Sequence, residues 1–337
     1  MRLTLQKLIG LLVIFAVVAV VVSAAALFVG AAWVDFREAL RGLTDEVYRR
    51  NSVACQIILE QRLPRVILAI LTGAALSMAG VSLQAILRNP LADPYTLGVA
   101  SGSAVGAVVA LSFKISFAYG PFNSVELFSL LGAGVMMALI YALARGPHHL
   151  SSESLLLAGV TVALIASSAI MFIRYLTEPH RLAAMDRWLM GGLAVIGFSD
   201  IIAVLPLLIA GGVILFYLTP EMNQIALGED MAIGRGVSLL SFYRWAFVGA
   251  SLVTAAVVAV AGPIGFIGLI VPHAVRRLVG PDHRILMPCA ALAGGTFLIV
   301  CDAVGRTIIA PAELPVGVVT AICGGPFFLW LLLKHRR

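Results

Sequence analysis

The sequence predicts an all-α, polytopic membrane protein with about ten transmembrane helices, arranged as a single membrane-spanning domain over residues 1–337. Hydrophobic residues make up 61% of the chain and charged residues 12%, whereas globular domains average about 45–50% apolar and about 25% charged residues. The apolar residues also fall in runs near the length of about 20 that crosses a bilayer core as a helix. Because lipid offers no hydrogen bonds to the backbone, these runs are expected to be helical.

The apolar stretches are ten in number: 8–33, 65–87, 95–113, 125–144, 154–175, 198–218, 240–261, 263–275, 285–304 and 316–333. The first continues past the small residues Ser23 to Ala26, so it is expected to remain as an uncleaved span. The eighth is irregular, since Gly262 and Pro263 open it and Pro272 interrupts it. A span broken by Gly and Pro is tolerated only where protein or a water-filled cavity surrounds it. This segment is therefore expected inside the bundle.

Small residues recur three or four positions apart on two of the predicted spans. They are Gly73, Ser77 and Gly80 on the second, and Gly102 and Gly106 on the third. Such spacing lets helix backbones approach closely in a membrane. It predicts tight packing of many helices rather than a specific dimer motif.

The charge pattern excludes several classes of function. The formal net charge of +6 comes from arginines that punctuate apolar runs, and a nucleic-acid partner would need clustered basic residues on one face. The four cysteines have no Cys-x-x-Cys spacing, so neither a disulfide framework nor a zinc site is expected. His273 follows Pro272 in the broken segment, but no second ligand lies at a useful spacing. No cofactor or metal site is predicted.

The distribution of basic residues predicts the orientation in the membrane. An even number of spans places both termini on one side, together with Arg276, Arg277 and Arg284. The positive-inside rule makes that side cytoplasmic. The opposite side carries almost as many arginines, so the charge count alone favours this orientation only modestly.

Three blocks of the sequence resemble one known family. The first covers 62–99, the second 262–277 and the third 302–320; their most characteristic runs are Arg62-Leu63-Pro64-Arg65, Arg88-Asn89-Pro90-Leu91-Ala92-Asp93-Pro94, Gly262-Pro263-Ile264-Gly265-Phe266-Ile267-Gly268 and Glu313-Leu314-Pro315-Val316-Gly317. They are similar to the signatures of FecCD-type permeases, the membrane subunits of type II ATP-binding cassette (ABC) importers for iron siderophores, haem and vitamin B12. The blocks occur in the family's order and span nearly the whole chain.

The resemblance implies a ten-helix subunit that pairs with a second copy of itself and encloses the transport path along the dimer axis. Two cytoplasmic ABC ATPases and an external substrate-binding protein would complete the importer. The chain itself has no phosphate-binding loop, because its three lysines follow Gln6, Phe113 and Leu333 rather than glycine. ATP hydrolysis is therefore expected in a separate subunit. This chain itself is expected to be a multi-pass protein of the bacterial inner membrane.

The family's docking site for the binding protein maps onto Arg62, Arg65 and Arg306. In the resembling family these positions form a basic pocket that receives glutamates of the binding protein, and guanidinium groups grip carboxylates in bidentate fashion. Asp302 lies four residues before Arg306 and can neutralise it on the same helix. Arg62 and Arg65 also suit an alternative role as interfacial anchors.

The resemblance places a cytoplasmic coupling segment at about 220–237, as two short helices hinged at Gly228 and seated in the ATPase. An ordinary amphipathic loop is the alternative. The residues assigned to ATPase coupling are Leu227, Gly228, Glu229, Met231 and Gly234.

The transport pathway is assigned to the fifth span. The family places its cytoplasmic gate where this chain has Ser151, Ser152, Glu153 and Ser154; the glutamate departs from the Ser/Thr-rich pattern. Arg174 at the outer end could meet carboxylates of the cargo. The alternatives for Arg174 are snorkelling to the interface or pairing with Glu178 one turn on.

Two other classes of protein fit the residues less well. An ion-coupled secondary transporter needs acidic residues deep in its spans, and an intramembrane enzyme needs a nucleophile with a base or a metal pair; the sequence offers neither. Import of a small oxyanion such as molybdate remains an alternative to import of a bulky chelate.

Overall fold

The computed structural model describes residues 5–30, 52–145 and 152–335. These residues are overwhelmingly helical. The elements in chain order are α1 Leu5–Ala26, α2 Val53–Gln56, a π-helical turn Ile57–Arg62, α3 Leu63–Ile86, a 3-10 turn Pro94–Leu97, α4 Val99–Ser112, β1 Ala118–Tyr119, β2 Phe122–Asn123, α5 Ser124–Ala144, α6 Ser152–Leu176, α7 Pro179–Leu189, α8 Ser199–Tyr217, α9 Thr219–Ile225, α10 Glu229–Gly234, α11 Leu239–Ala261, α12 Ile267–Val279, α13 His283–Thr307 and α14 Val316–His335. The two short strands pair antiparallel as a hairpin.

Within the described residues, seven helices are long and apolar enough to cross a membrane: Ile9–Ala26, Val53–Ile86, Ser124–Ala144, Glu153–Leu176, Ser199–Tyr217, Leu239–Ala261 and His283–Thr307. Apolar helices also cover Val99–Ser112 and Val316–His335, and α12 is the broken segment. Each of the ten predicted stretches therefore contains a helix. The shortest are α4 and α12, with 14 and 13 residues.

The most buried helices are α3, α11 and α13, whereas α1 and α6 lie at the outside. Helices α3 and α13 cross at Gly73 and Gly294, where an added methyl group would overlap the facing backbone or Ser77. Gly80 of α3 makes an equally close approach to Gly268 of α12. These contacts confirm the predicted close packing through small residues.

The broken segment lies inside the bundle, as predicted. Gly262 ends α11 with φ of +66°, and Phe266 precedes α12 with φ of +71°. Two residues of the first sequence block accept hydrogen bonds from the irregular backbone between them. The Phe266 N–H donates to Asp93 Oδ2 at 3.3 Å, and the Ile264 N–H donates to the Tyr95 hydroxyl. Exposed to lipid, such backbone groups would each cost several kcal/mol. The first motif thus supplies the partners that the second motif needs.

Helix α3 joins two functionally distinct ends of the bundle. It has 24 residues, a length of about 36 Å at 1.5 Å per residue. Arg65 in its first turn contacts Asp302 in the last turns of α13. Beyond its other end, Arg88 contacts Glu229, the first residue of α10. We call these the arginine end and the hinge end.

Candidate functional site

Five charged side chains gather at the arginine end, which we call the arginine cluster: Arg62, Arg65, Asp302, Arg306 and Glu313. The Arg65 Nε lies 2.9 and 3.1 Å from the two Asp302 oxygens. Its Nη1 lies 2.7 Å from Glu313 Oε2. The second Asp302 oxygen is also 3.0 Å from Arg306 Nε. Asp302 therefore neutralises Arg306, as predicted, but shares its charge with Arg65.

The other two arginines are tied to the end of α1. Arg62 Nη1 donates to the Leu27 carbonyl at 2.9 Å, and Arg306 Nη2 donates to the Ala26 carbonyl at 3.3 Å. Arg62 is 5%, Arg306 3% and Asp302 2% exposed. The cluster therefore combines three guanidinium groups with two carboxylates in a largely buried setting, where charges are screened less than in bulk water.

A cavity of about 450 Å³ opens onto the cluster, with Arg62, Arg65, Arg306 and Glu313 among its lining residues. The sequence-predicted arginines are therefore brought to one site. Their burial does not suit an anchor at a membrane interface, which keeps its charged group in water. Glu313 lies in the third sequence block, but its pairing with Arg65 was not foreseen, because it depends on a contact across 248 positions.

The hinge end carries α9 and α10, joined at Gly228, whose φ of +125° is strained for any residue with a Cβ. Asn223 of α9 fixes the pair to the bundle. Its Nδ2 donates to Asp282 Oδ1 at 2.7 Å, and its Oδ1 accepts from the His283 N–H at 2.8 Å. Hydrogen bonds from Arg284, then from Asn223, lower the pKa of Asp282 to about 2. Asp282 is therefore ionised at neutral pH.

The hinge residues predicted for coupling point in two directions. Glu229 turns inward: its Oε1 accepts from the Tyr243 hydroxyl at 2.8 Å and lies 3.1 Å from Arg88 Nη2. Leu227 and Met231 turn outward and are more than half exposed, as is Ile233 nearby. Gly234 ends α10, and a Cβ added there would have no atom within 4 Å. The segment thus presents an apolar tip on an anchored base.

The fifth predicted span, α6, carries the residues assigned to the pathway. Ser151 lies outside the described residues, and Ser152 begins the helix. Glu153 and Ser154 are exposed. Arg174 pairs with Asp186 of α7, so the predicted pairing with Glu178 is wrong. Glu178 instead lies 2.9 Å from Arg181, because α7 folds back and places its own residues near both groups.

His273 lies on α12 with its ring 6.0 Å from that of Phe327. In the described parts of the chain, no three His, Cys, Asp or Glu residues are grouped as metal ligands. Asp302 is held between two arginines. It does not offer the uncompensated carboxylate that an ion-coupled transporter requires.

Apolar spans, a broken helix inside the bundle and distinct polar sites at both ends define a helical membrane permease. The FecCD transport family matches residues 14–334, and the chain belongs to it. The cobalamin import system permease protein BtuC of Halobacterium salinarum is 42% identical over 271 residues, which cover 80% of this chain and 72% of the relative. The hemin transport system permease protein HmuU of Yersinia pestis is 35% identical over 289 residues, covering 85% and 86%.

A solved structure has the same fold. It is an inward-facing conformation of an ABC transporter assigned to the metal-chelate type, with a TM-score of 0.81 and 29% identity. The similarity covers 97% of this chain and 99% of that one. The chain is thus a transport subunit, a multi-pass permease of an ABC transporter in the cell membrane.

Proposed function

We propose that this chain forms the transmembrane path of an ATP-driven importer for a bulky metal chelate, namely an iron siderophore, haem or cobalamin. The observation that carries the proposal is the separation of two sites along α3: an arginine-lined cavity at one end and a protruding hinged segment at the other. An importer driven by outside subunits needs both. The cobalamin and hemin permeases among the relatives support a bulky cargo.

The arginine cluster is the proposed docking site for the substrate-binding protein, through Arg62, Arg65 and Arg306. The three arginines that line the cavity fit an entering glutamate, which would find planar donors on several sides. Asp302 and Glu313 hold Arg65 in place, so the site is preorganised rather than flexible. Preorganisation reduces the entropy lost when a partner binds.

Two substitutions of opposite sign test this docking site. Arg62→Gln removes one positive charge and should weaken binding and reduce its salt dependence. Glu313→Gln removes one negative charge and should strengthen binding, or leave it unchanged. Affinity for the cognate binding protein, measured over a range of ionic strength, checks both. Equal affinities for all three proteins would exclude docking at the cluster.

The hinged segment is the proposed contact with the ATPase. Leu227 and Met231 would bury their exposed side chains in the ATPase. Glu229 would transmit the motion of the ATPase to α11 through Tyr243, and to the end of α3 through Arg88. Gly228 and Gly234 give the short helices their turns. This assignment places the hinge end in the cytoplasm and the arginine end outside.

The same orientation makes both termini cytoplasmic. The end of α1 contacts the arginine cluster, so α1 starts toward the hinge end. Trp330, late in α14, has its ring 5.6 Å from the Arg277 guanidinium at the end of α12. A cytoplasmic position for Arg276 and Arg277, in the last turn of α12, agrees with the positive-inside rule.

A second copy of the chain is proposed to complete the pathway along the exposed side of α6. That face carries Glu153 and Ser154 near its start, next in sequence to the predicted gate residues Ser151 and Ser152, and Arg174, the partner of Asp186, near its end. Pairing of two such faces would form a homodimer and line a central passage. Cross-linking of single cysteines on α6 would detect it; cross-links absent in native membranes would count against this interface.

The cargo is tested by uptake into proteoliposomes that contain the permease, its ATPase and its binding protein. Radiolabelled ferric siderophore, haem, cobalamin and molybdate are offered separately. We expect ATP-dependent accumulation of one of the three chelates. Accumulation of molybdate alone would refute the bulky cargo and favour a small oxyanion.

A further inference from the structure

An open groove lies on the outer surface of the bundle at the hinge end. It has a volume of about 400 Å³ and runs between the last turns of α8, the start of α9 and the first turns of α11. Tyr217, Glu221 and Trp245 line it together with aliphatic residues of α8. Tyr217 and Trp245 are both exposed. Aromatic residues in such positions sit at the headgroup level of a bilayer.

Glu221 makes the groove chemically specific. Its side chain is half-buried, and no described residue donates a hydrogen bond or forms an ion pair with its carboxylate. Burial raises the pKa of Glu221. Its position in the first turn of α9 gives modest support to the charge. A cation entering the groove would supply the missing partner.

The surroundings of Glu221 suit an ammonium group in particular. Tyr217 and Trp245 line the groove together with Glu221, and aromatic rings attract cations. Arg244 does not line the groove but lies against Trp245, with its guanidinium carbon 5.9 Å from the centre of the Trp245 ring. A negative group in the groove and a positive group next to one of its walls match a headgroup that carries both an amine and a phosphate.

We propose that this groove binds a phospholipid with an ethanolamine headgroup. The ammonium contacts Glu221 between the two aromatic residues, the phosphate faces Arg244, and an acyl chain lies along Val213 and Ile214 of α8. The lipid would brace the junction of α8, α9 and α11, next to the hinge. This inference depends only on the chain being embedded in a membrane, not on its cargo or its ATPase.

Native mass spectrometry of the detergent-purified protein tests the site. Phosphatidylethanolamine and phosphatidylglycerol with identical acyl chains are added in equal amounts. We expect the wild-type protein to retain several-fold more of the ethanolamine lipid. Glu221→Gln should abolish this preference, and Glu221→Lys should reverse it. Glu178→Gln, which alters an exposed carboxylate at the arginine end, should leave it unchanged.

Equal retention of both lipids by the wild-type protein would overturn the proposal, as would an unchanged preference in Glu221→Gln. Loss of both lipids to the same extent in Glu221→Gln would also overturn it, because Glu221 would then not discriminate between the two headgroups. A photoactivatable ethanolamine lipid provides a second measurement on the wild-type protein. The label should appear on peptides of α8 and α11. Labelling confined to other helices would reject the site, as would absence of label from α8 and α11 because a second copy of the protein covers the groove.

Discussion

Arg65 and Asp302, 237 positions apart, pair through two atoms of the same guanidinium. The Arg65 Nε and Nη2 lie 2.9 and 2.8 Å from Asp302 Oδ1. The pair joins the first turn of α3 to the last turns of α13, the two helices that cross at Gly73 and Gly294. It also compensates Arg306, so one carboxylate serves two arginines. Folding and the proposed docking at the arginine end therefore depend on the same group.

Replacing that carboxylate should destabilise the protein. Asp302→Asn leaves Arg65 and Arg306 with an uncharged partner in a buried site, at a cost of about 3–5 kcal/mol. The melting temperature in detergent should fall clearly. Glu313→Gln is the matched control; because Glu313 is 43% exposed, its loss should cost less than about 1 kcal/mol. Identical melting of both variants would show that Asp302 does not hold the cluster together.

The crossing of α3 and α13 depends on the absence of a side chain at Gly294. Gly294→Ala would place a methyl group against Ser77 and the Gly73 carbonyl. The helices would have to separate, which costs about 1–3 kcal/mol for overpacking. Gly134→Ala is the control, since nothing lies within 4 Å of its added methyl. Thermal unfolding measures both, and equal stability would argue against a tight crossing.

Asn223 should hold the hinged segment to the rest of the bundle. Asn223→Ala removes its bonds to Asp282 and His283, so backbone hydrogen exchange in 219–234 should accelerate. ATP hydrolysis in the assembled importer should become less dependent on transport. Gln224→Ala serves as the control, because Gln224 Oε1 has no hydrogen-bond partner among the described residues. Unchanged exchange in Asn223→Ala would contradict the anchoring role.

The apolar tip of the hinge should determine affinity for the ATPase without determining stability. Substituting serine for Leu227 and Met231 removes exposed apolar surface, so thermal stability should be kept while ATPase binding weakens by about tenfold or more, or about 1.4 kcal/mol. Val53→Ser alters an exposed apolar residue at the arginine end and should leave binding unchanged. Retained ATPase binding in the double variant would rule out this contact.

Hydropathy predicted where the helices lie because lipid imposes a strong rule on every span. It also located the broken helix, since Gly262, Pro263 and Pro272 punctuate it. The partners of the charged residues were less predictable. For Arg174 the sequence offered snorkelling or a pairing with Glu178 as structural alternatives, yet α7 folds back to bring Asp186 to it. The Arg65–Glu313 and Asn223–Asp282 contacts likewise depend on tertiary packing, which spacing along one helix cannot reveal.

The central claim is that this chain encloses a passage that separate ATPase subunits drive. Proteoliposomes containing the permease and binding protein, with or without the ATPase, test it most directly. We predict chelate accumulation only when the ATPase and ATP are both present, and its loss with a hydrolysis-deficient ATPase. Accumulation at the same rate without the ATPase would contradict the account.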